Sequence, residues 1–244
     1  MKKSFCLLAA MSALILLSGC GTTSKFVYPS SMNKLAQVAE APIYNKKVAV
    51  LPFNDYRGDK NEMSTILLYL IPLWPYGGYC EYQRPETSTG FLTLGYFDFT
   101  ADEDLAKAAA LSLRRSNLFS DAFFSFGGDK DKADFVFHGD IYSTTYIGTV
   151  YSYGLSQAGL YLSLLGLPLG SSENQLKVKF YMTRKNSREV IWQYTYEGND
   201  YITQGIYYRC GDDMKIFMQL VEKAMNAAVI DIYKQTQENP ALLK

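Results

Sequence analysis

The chain has 244 residues, 48% hydrophobic and 15% aromatic, with equal numbers of basic and acidic side chains. That length supports one domain with a core of ordinary size. The balanced charge lacks the basic stripe or patch that nucleic-acid binding asks for, so nucleic acid is not an expected partner. Tyrosine is the commonest aromatic, which suits strands and half-wet surfaces and is also compatible with a sugar-binding face.

At the amino terminus, Lys2 and Lys3 precede an apolar run, Phe5 to Leu17, which closes in Leu17-Ser18-Gly19-Cys20. A basic start, an apolar middle and small residues make the layout of a secretory signal peptide. The run is too short to cross a bilayer as a helix, which takes about 20 apolar residues, so cleavage is expected rather than retention. The four residues resemble a bacterial lipobox in which the cysteine becomes the first mature residue. The resemblance implies export, removal of residues 1–19, thioether lipidation of Cys20 and acylation of the new amino terminus. The alternative is an ordinary signal peptide with a chance cysteine. Two or more acyl chains anchor a protein stably, at about 0.8 kcal/mol per buried methylene, so a body lipidated in this way is held at a membrane surface. Gly21 stands where an aspartate would favour the inner membrane, which points to the outer membrane, facing the periplasm. The mature part carries 22 basic and 24 acidic residues.

Residues 20–45 read as a lipidated tether and residues 46–237 as a single domain. Gly21 to Ser24 is flexible in composition, Pro29-Ser30-Ser31 breaks regular structure, and a short helix fits Asn33 to Glu40. Lys47 to Phe53 is a strand apolar on both faces, hence central. A first apolar insertion follows, Ile66 to Pro75, read as a helix over about Glu62–Leu70 stopped by Pro72. Phe91 to Phe99 reads as a strand. Thr100-Ala101-Asp102-Glu103 has the form of a capping box opening a helix to about Ser116. Acids lie at its start, Arg114 and Arg115 at its end, and Ala106, Ala109, Ala110 and Leu113 form a narrow packing face. Leu118 to Phe124 is a short strand. Asp134 to Ile147 is a strong one, with Phe135, Phe137 and Ile141 on one face and His138, Asp140 and Tyr142 on the other. A second apolar insertion runs from Gly148 to Gly170, centred on Leu160–Pro168, with a short helix. A hairpin pairs Leu176–Met182 with Val190–Tyr196, its Val190, Trp192, Tyr194 and Tyr196 pointing inward. Gly211-Asp212-Asp213 caps a last helix to about Gln235.

This order predicts an α+β fold: a mostly antiparallel sheet, two main helices on one face, and two apolar insertions. The Val-Ala-Val-Leu-Pro-Phe-Asn-Asp strand at 48–55, the helix leading to Asn117-Leu118-Phe119, the Ala-Asp-Phe-Val-Phe-His-Gly-Asp strand at 133–140 and the Val-Ile-Trp strand at 190–192 resemble a broad group of envelope lipoproteins. The group includes the curli secretion channel lipoprotein, penicillin-binding-protein activator lipoproteins and the TolB amino-terminal domain. The likeness covers roughly residues 46–235, and the two insertions are additions to its pattern. It implies an envelope protein partner.

Chemistry is sparse. Of four cysteines, Cys6 leaves with the signal peptide and Cys20 takes lipid, so in an oxidising compartment Cys80 and Cys210 are expected to form a disulfide. The alternative is two unpaired thiols. Two thiols and one histidine make a poor metal set, and no motif asks for a cofactor. His138 beside Asp140 has the elements of a general base, although a surface role is the ordinary one. Asp212-Asp213 fits a helix cap better than a cation site. The expected function is therefore non-enzymatic: a membrane-anchored interaction or assembly factor of the bacterial envelope. The alternative is an oligomeric secretion or channel component. The insertions either pack together as a cap on the core or leave an apolar patch for a membrane or protein.

Overall fold

A computed structural model describes residues 23–64, 70–88, 96–185, 187 and 189–243. Cys20, the expected signal peptide and parts of the segments around 66 and 91 lie outside the described residues. The elements in chain order are β1 (Thr23–Lys25), β2 (Tyr44–Val50), β3 (Asn54–Asp55), β4 (Asn61–Ser64), β5 (Tyr76–Tyr82), β6 (Tyr96–Asp98), α1 (Ala101–Arg115), β7 (Phe119–Phe124), β8 (Phe135–Ser143), β9 (Tyr146–Tyr151), α2 (Leu160–Ser163), β10 (Gly170–Arg184), β11 (Val190–Gln204) and α3 (Asp213–Glu238). The fold is α+β, as expected.

The long hairpin β10–β11 is the spine. It runs from Gly170↔Gln204 to Thr183↔Val190, with one register shift between Met182 and Thr183, longer at both ends than its sequence pattern suggested. The other edge of β10 pairs with β9 in its first part and with β8 in its second. Strands β8 and β9 are thus one long strand interrupted at Thr144-Thr145. Within it a register shift pairs Val178 with Ile141 but Lys177 with Ser143, so one residue is extra. Such a bulge reverses which residues face which side. His138, Asp140 and Tyr142 share the outer face below it, and Ile147, Thr149 and Tyr151 share that face above it.

Beyond the bulge the sheet divides. β2, parallel to β7 and β8, flanks β8, whereas β5 and then β4 flank β9, antiparallel. Helices α1 and α3 cover the inner face, which carries Val48, Val50, Phe137, Ile141, Val178, Phe180, Met182 and Trp192. Phe53 lies against Gly139, where an added Cβ would fall 2.6 Å from its ring.

Several local expectations change. Thr100 is the N-cap residue of α1, but the reciprocal bond comes from Asp104, whose Oδ2 accepts the Thr100 N–H at 2.8 Å. Glu103 pairs with Lys107 instead. The helix expected over Glu62–Leu70 is absent at its start, because residues 61–64 form β4 against β5. The helix expected at Asn33–Glu40 is a 3-10 turn at Met32–Lys34. Val190 is exposed rather than inward.

The tether is not a free spacer where it is described. Phe26 packs on Phe99 and Phe217. The Val27 N–H meets Met218 Sδ, the Ser30 N–H donates to Glu222, and the Ala36 N–H donates to Asn226 at 2.8 Å. The segment therefore lies as a strap along α3, held because its aromatic residues complete the core and its backbone donors find acceptors on the helix.

Candidate functional site

Three stretches contain no charged residue: Met63–Cys80, Ile141–Ser172 and Tyr201–Tyr208. The sheet brings residues 70–76, 151–170 and 204–208 of these stretches to one end of the molecule. β5 begins there, β9 ends, β10 begins and β11 ends. The loop before β5 joins the loop after β9 through the Leu73 N–H to the Gly154 carbonyl at 3.1 Å and the Ser152 N–H to the Pro75 carbonyl at 2.9 Å. The Tyr153 hydroxyl donates to the Pro168 carbonyl at 2.6 Å, folding the second insertion back on itself. The Tyr207 hydroxyl donates to the Leu164 carbonyl at 3.0 Å, which attaches the loop after β11. A close approach tightens the assembly at Gly159, where any Cβ would overlap the Ser152 backbone.

The insertions thus pack on one another through their backbones and still present apolar side chains. Leu73 is 89% exposed, Leu165 77%, Tyr161 71% and Tyr207 67%. Leu70, Ile71, Trp74, Leu155, Leu164 and Ile206 are exposed beside them. The insertions are bonded to one another, and their outer side chains are exposed and apolar.

Behind the patch, on the outer face of the sheet, is an aromatic cleft of about 630 Å³ lined by Ser64, Trp74, Tyr76, Tyr79, Thr149, Tyr151, Ser171 and Tyr201. Strand alternation aims Tyr79, Thr149, Tyr151, Ser171 and Tyr201 outward, and a register shift between Tyr76 and Gly78 puts Tyr76 on the same face. Rings of Trp74, Tyr76 and Tyr151 follow one another at 6.4 and 6.2 Å, and the Tyr151 and Tyr201 hydroxyls share a hydrogen bond of 3.1 Å. The Tyr79 hydroxyl donates to Glu81 at 2.8 Å. Burial and then that carboxylate push its pKa up to about 12, so it stays a protonated donor. Rings and hydroxyls of this kind bind by stacking and hydrogen bonding.

The residues singled out by sequence lie elsewhere. The Cys80–Cys210 bridge is not formed: Cys80 is buried on the inner face of β5 and Cys210 is exposed in the loop after β11. An oxidising compartment alone does not bring the two together, because the alternation of β5 points the Cys80 thiol into the core. Burial pushes that thiol up to about 12. His138 is half-buried, stacked on Tyr181 at 4.8 Å, with Nε2 3.2 Å from Thr183 Oγ1. Desolvation lowers its pKa against the pull of Asp140, whose carboxylate accepts instead from Asn54 at 2.8 Å. Asp212 is the N-cap residue of α3, and Asp213 is buried, accepting the Tyr146 hydroxyl at 3.0 Å. Among the described residues no three His, Cys, Asp or Glu side chains gather as a metal set. The strand Tyr201–Gln204 and loop 205–208 contribute to the end of the molecule without having been singled out. Their lack of charge was the signal.

Neither a family model nor a curated protein matches the sequence. Among solved structures, the fold is similar to a DUF330-family protein from Xanthomonas campestris, with TM-score 0.46, 8% identity, and 88% of this chain and 99% of that one covered. A dodecameric PelC from Paraburkholderia phytofirmans gives TM-score 0.36 and 14% identity over 79% of this chain and 94% of that one. A neuraminyllactose-binding hemagglutinin homologue from Helicobacter pylori gives 0.41 and 11%, over 87% and 95% respectively.

Proposed function

We propose that this chain is a lipid-anchored, non-enzymatic protein of the bacterial envelope, held in the outer membrane through Cys20 and facing the periplasm. It acts as an interaction or assembly factor, and its charge-free end is a surface built to be covered. The observation that carries this reading is the meeting of three uncharged stretches in one exposed surface. Burying a large apolar side chain contributes about 1.5–3 kcal/mol, so a surface with Leu73 and Leu165 this open gains most from being covered. The aromatic cleft beside it adds stacking faces and hydroxyl donors and offers no acid–base pair.

A photo-crosslinking residue placed at Leu165 in the anchored chain, in intact cells, tests the reading. Lys130, on the charged turn before β8, is the control position. Adducts from Leu165, to protein or to lipid, and none from Lys130 are expected. Equal labelling from both positions, or labelling from Lys130 alone, would contradict it.

A further inference from the structure

We infer that the charge-free end is a membrane-docking tip, seated in the same bilayer leaflet that holds the acyl chains of Cys20, so that phospholipid is its occupant. This rests on the lipid anchoring proposed above. Two observations lead to it, and a third limits its depth.

The first is where the chain enters the body. Ser24 and Lys25 face Gly211 and Lys215 across a shallow cavity of about 550 Å³. The strap then steps along α3 from Met218 to Glu222 to Asn226. Thr23 therefore lies at the start of α3, the end from which the loop carrying Tyr207 departs. Cys20 is three residues earlier, and three residues reach about 10 Å at most. Lipid on Cys20 brings this end of the molecule, and not the opposite one, to the bilayer.

The second is composition. The most exposed large apolar side chains of the end are leucines and tyrosines, with Trp74 46% exposed among them. Leucine suits hydrocarbon, while tryptophan and tyrosine rings collect at membrane–water interfaces. Through the second insertion, Ile141–Ser172 runs its whole length without a charge. The third is size. No helix among the described residues is long and apolar enough to cross a membrane, so the tip enters the interface and headgroup boundary without spanning, as monotopic elements do.

Tryptophan supplies the test. There are two: Trp74 on the tip and Trp192, buried at 2% exposure in the core. The full mature chain is reconstituted into phosphatidylethanolamine–phosphatidylglycerol vesicles with and without bromine on the acyl chains. The Trp74 signal is the difference between this chain and Trp74→Phe. At least twofold quenching by brominated lipid is expected, with a blue-shifted emission and loss of that quenching in Leu73→Glu/Leu165→Glu. A Trp74 signal unquenched by bromine and open to iodide overturns the inference. A signal shielded from iodide, unquenched by bromine and dependent on protein concentration puts a second copy on the tip and overturns it equally. Acylation of Cys20 is read separately by mass. A chain without acyl groups fails the anchoring reading alone, and quenching at saturating vesicle concentration still decides the tip.

Discussion

Arg57 is buried in the bend where β8 passes into β9, and its guanidinium meets Glu86 at 2.7 Å, Asp55 at 2.9 Å and the Thr144 hydroxyl at 2.6 Å. Arg84 adds a second cation to Asp55 at 2.8 Å. Removing one member of a buried ion pair strands the others, at a cost of about 3–5 kcal/mol. Arg57→Ala is therefore expected to lower the urea-unfolding stability by that amount, and a loss below 1 kcal/mol would show that the bend does not depend on it. Burial opposes ionisation of Asp55, but the hydrogen bonds and charge of Arg57 outweigh it and hold the carboxyl below its ordinary range. A carboxyl lowered on folding adds stability that is present above the unfolded value, about 3.9, and lost as pH falls through the folded one. Asp55→Asn should flatten the stability profile on that acid side. His138 follows the same sign from a different cause. Desolvation lowers its folded pKa, so its contribution is present above about 6.5 and lost as pH falls from there, and His138→Gln should remove that slope. The two thiols differ in access. Cys210 should react with a thiol reagent in the native protein and Cys80 only after unfolding. Two unreactive thiols that appear on reduction would restore the bridge.

At the scale of elements, what was legible was local. The helix α1 announces itself by Ala106, Ala109, Ala110 and Leu113, all of them buried. Its close fit predicts that Ala106→Leu overpacks the layer and costs about 1–3 kcal/mol in thermal or urea unfolding. Strands β2 and β8 were legible because they are apolar or alternate. β4 was not, because its partner β5 is set by the remote pairing of Met63 with Cys80 and nothing in Asn61–Ser64 alternates. The bulge beside Tyr142 was equally hidden: only the register against Lys177 and Val178 reveals it. The insertions were legible as apolar and charge-free but not as neighbours, since their contacts are backbone bonds such as Leu73 to Gly154. Exposure makes a sharp prediction for them. Leu165→Ser should change stability by no more than about 0.5 kcal/mol, although a buried leucine would cost several.

At the scale of the whole molecule, charge is sorted along the spine. From Gly170 to Arg184 the strand β10 extends roughly 45–50 Å at the usual rise per residue. At its Gly170 end lie the uncharged insertions and the entry point of the chain, where Lys25 and Lys215 are the nearby charges. At its Arg184 end lie Asp129, Lys130, Asp131, Lys132, Asp134 and Lys185, with Lys46 bonded to Asp134 at 3.7 Å. With lipid on Cys20, a body sorted in this way would stand on its apolar end with its charged end in water. The strap along α3 keeps the anchor beside that apolar end and would limit how far the body can swing from it. All of this depends on Cys20 carrying lipid. Mass spectrometry of the amino-terminal peptide from the membrane fraction reads it directly: a peptide beginning at Cys20, heavier by a diacylglyceryl group and an amide-linked acyl chain, is the expected result. A peptide that still contains residues 1–19, or begins at an unmodified residue, would contradict it.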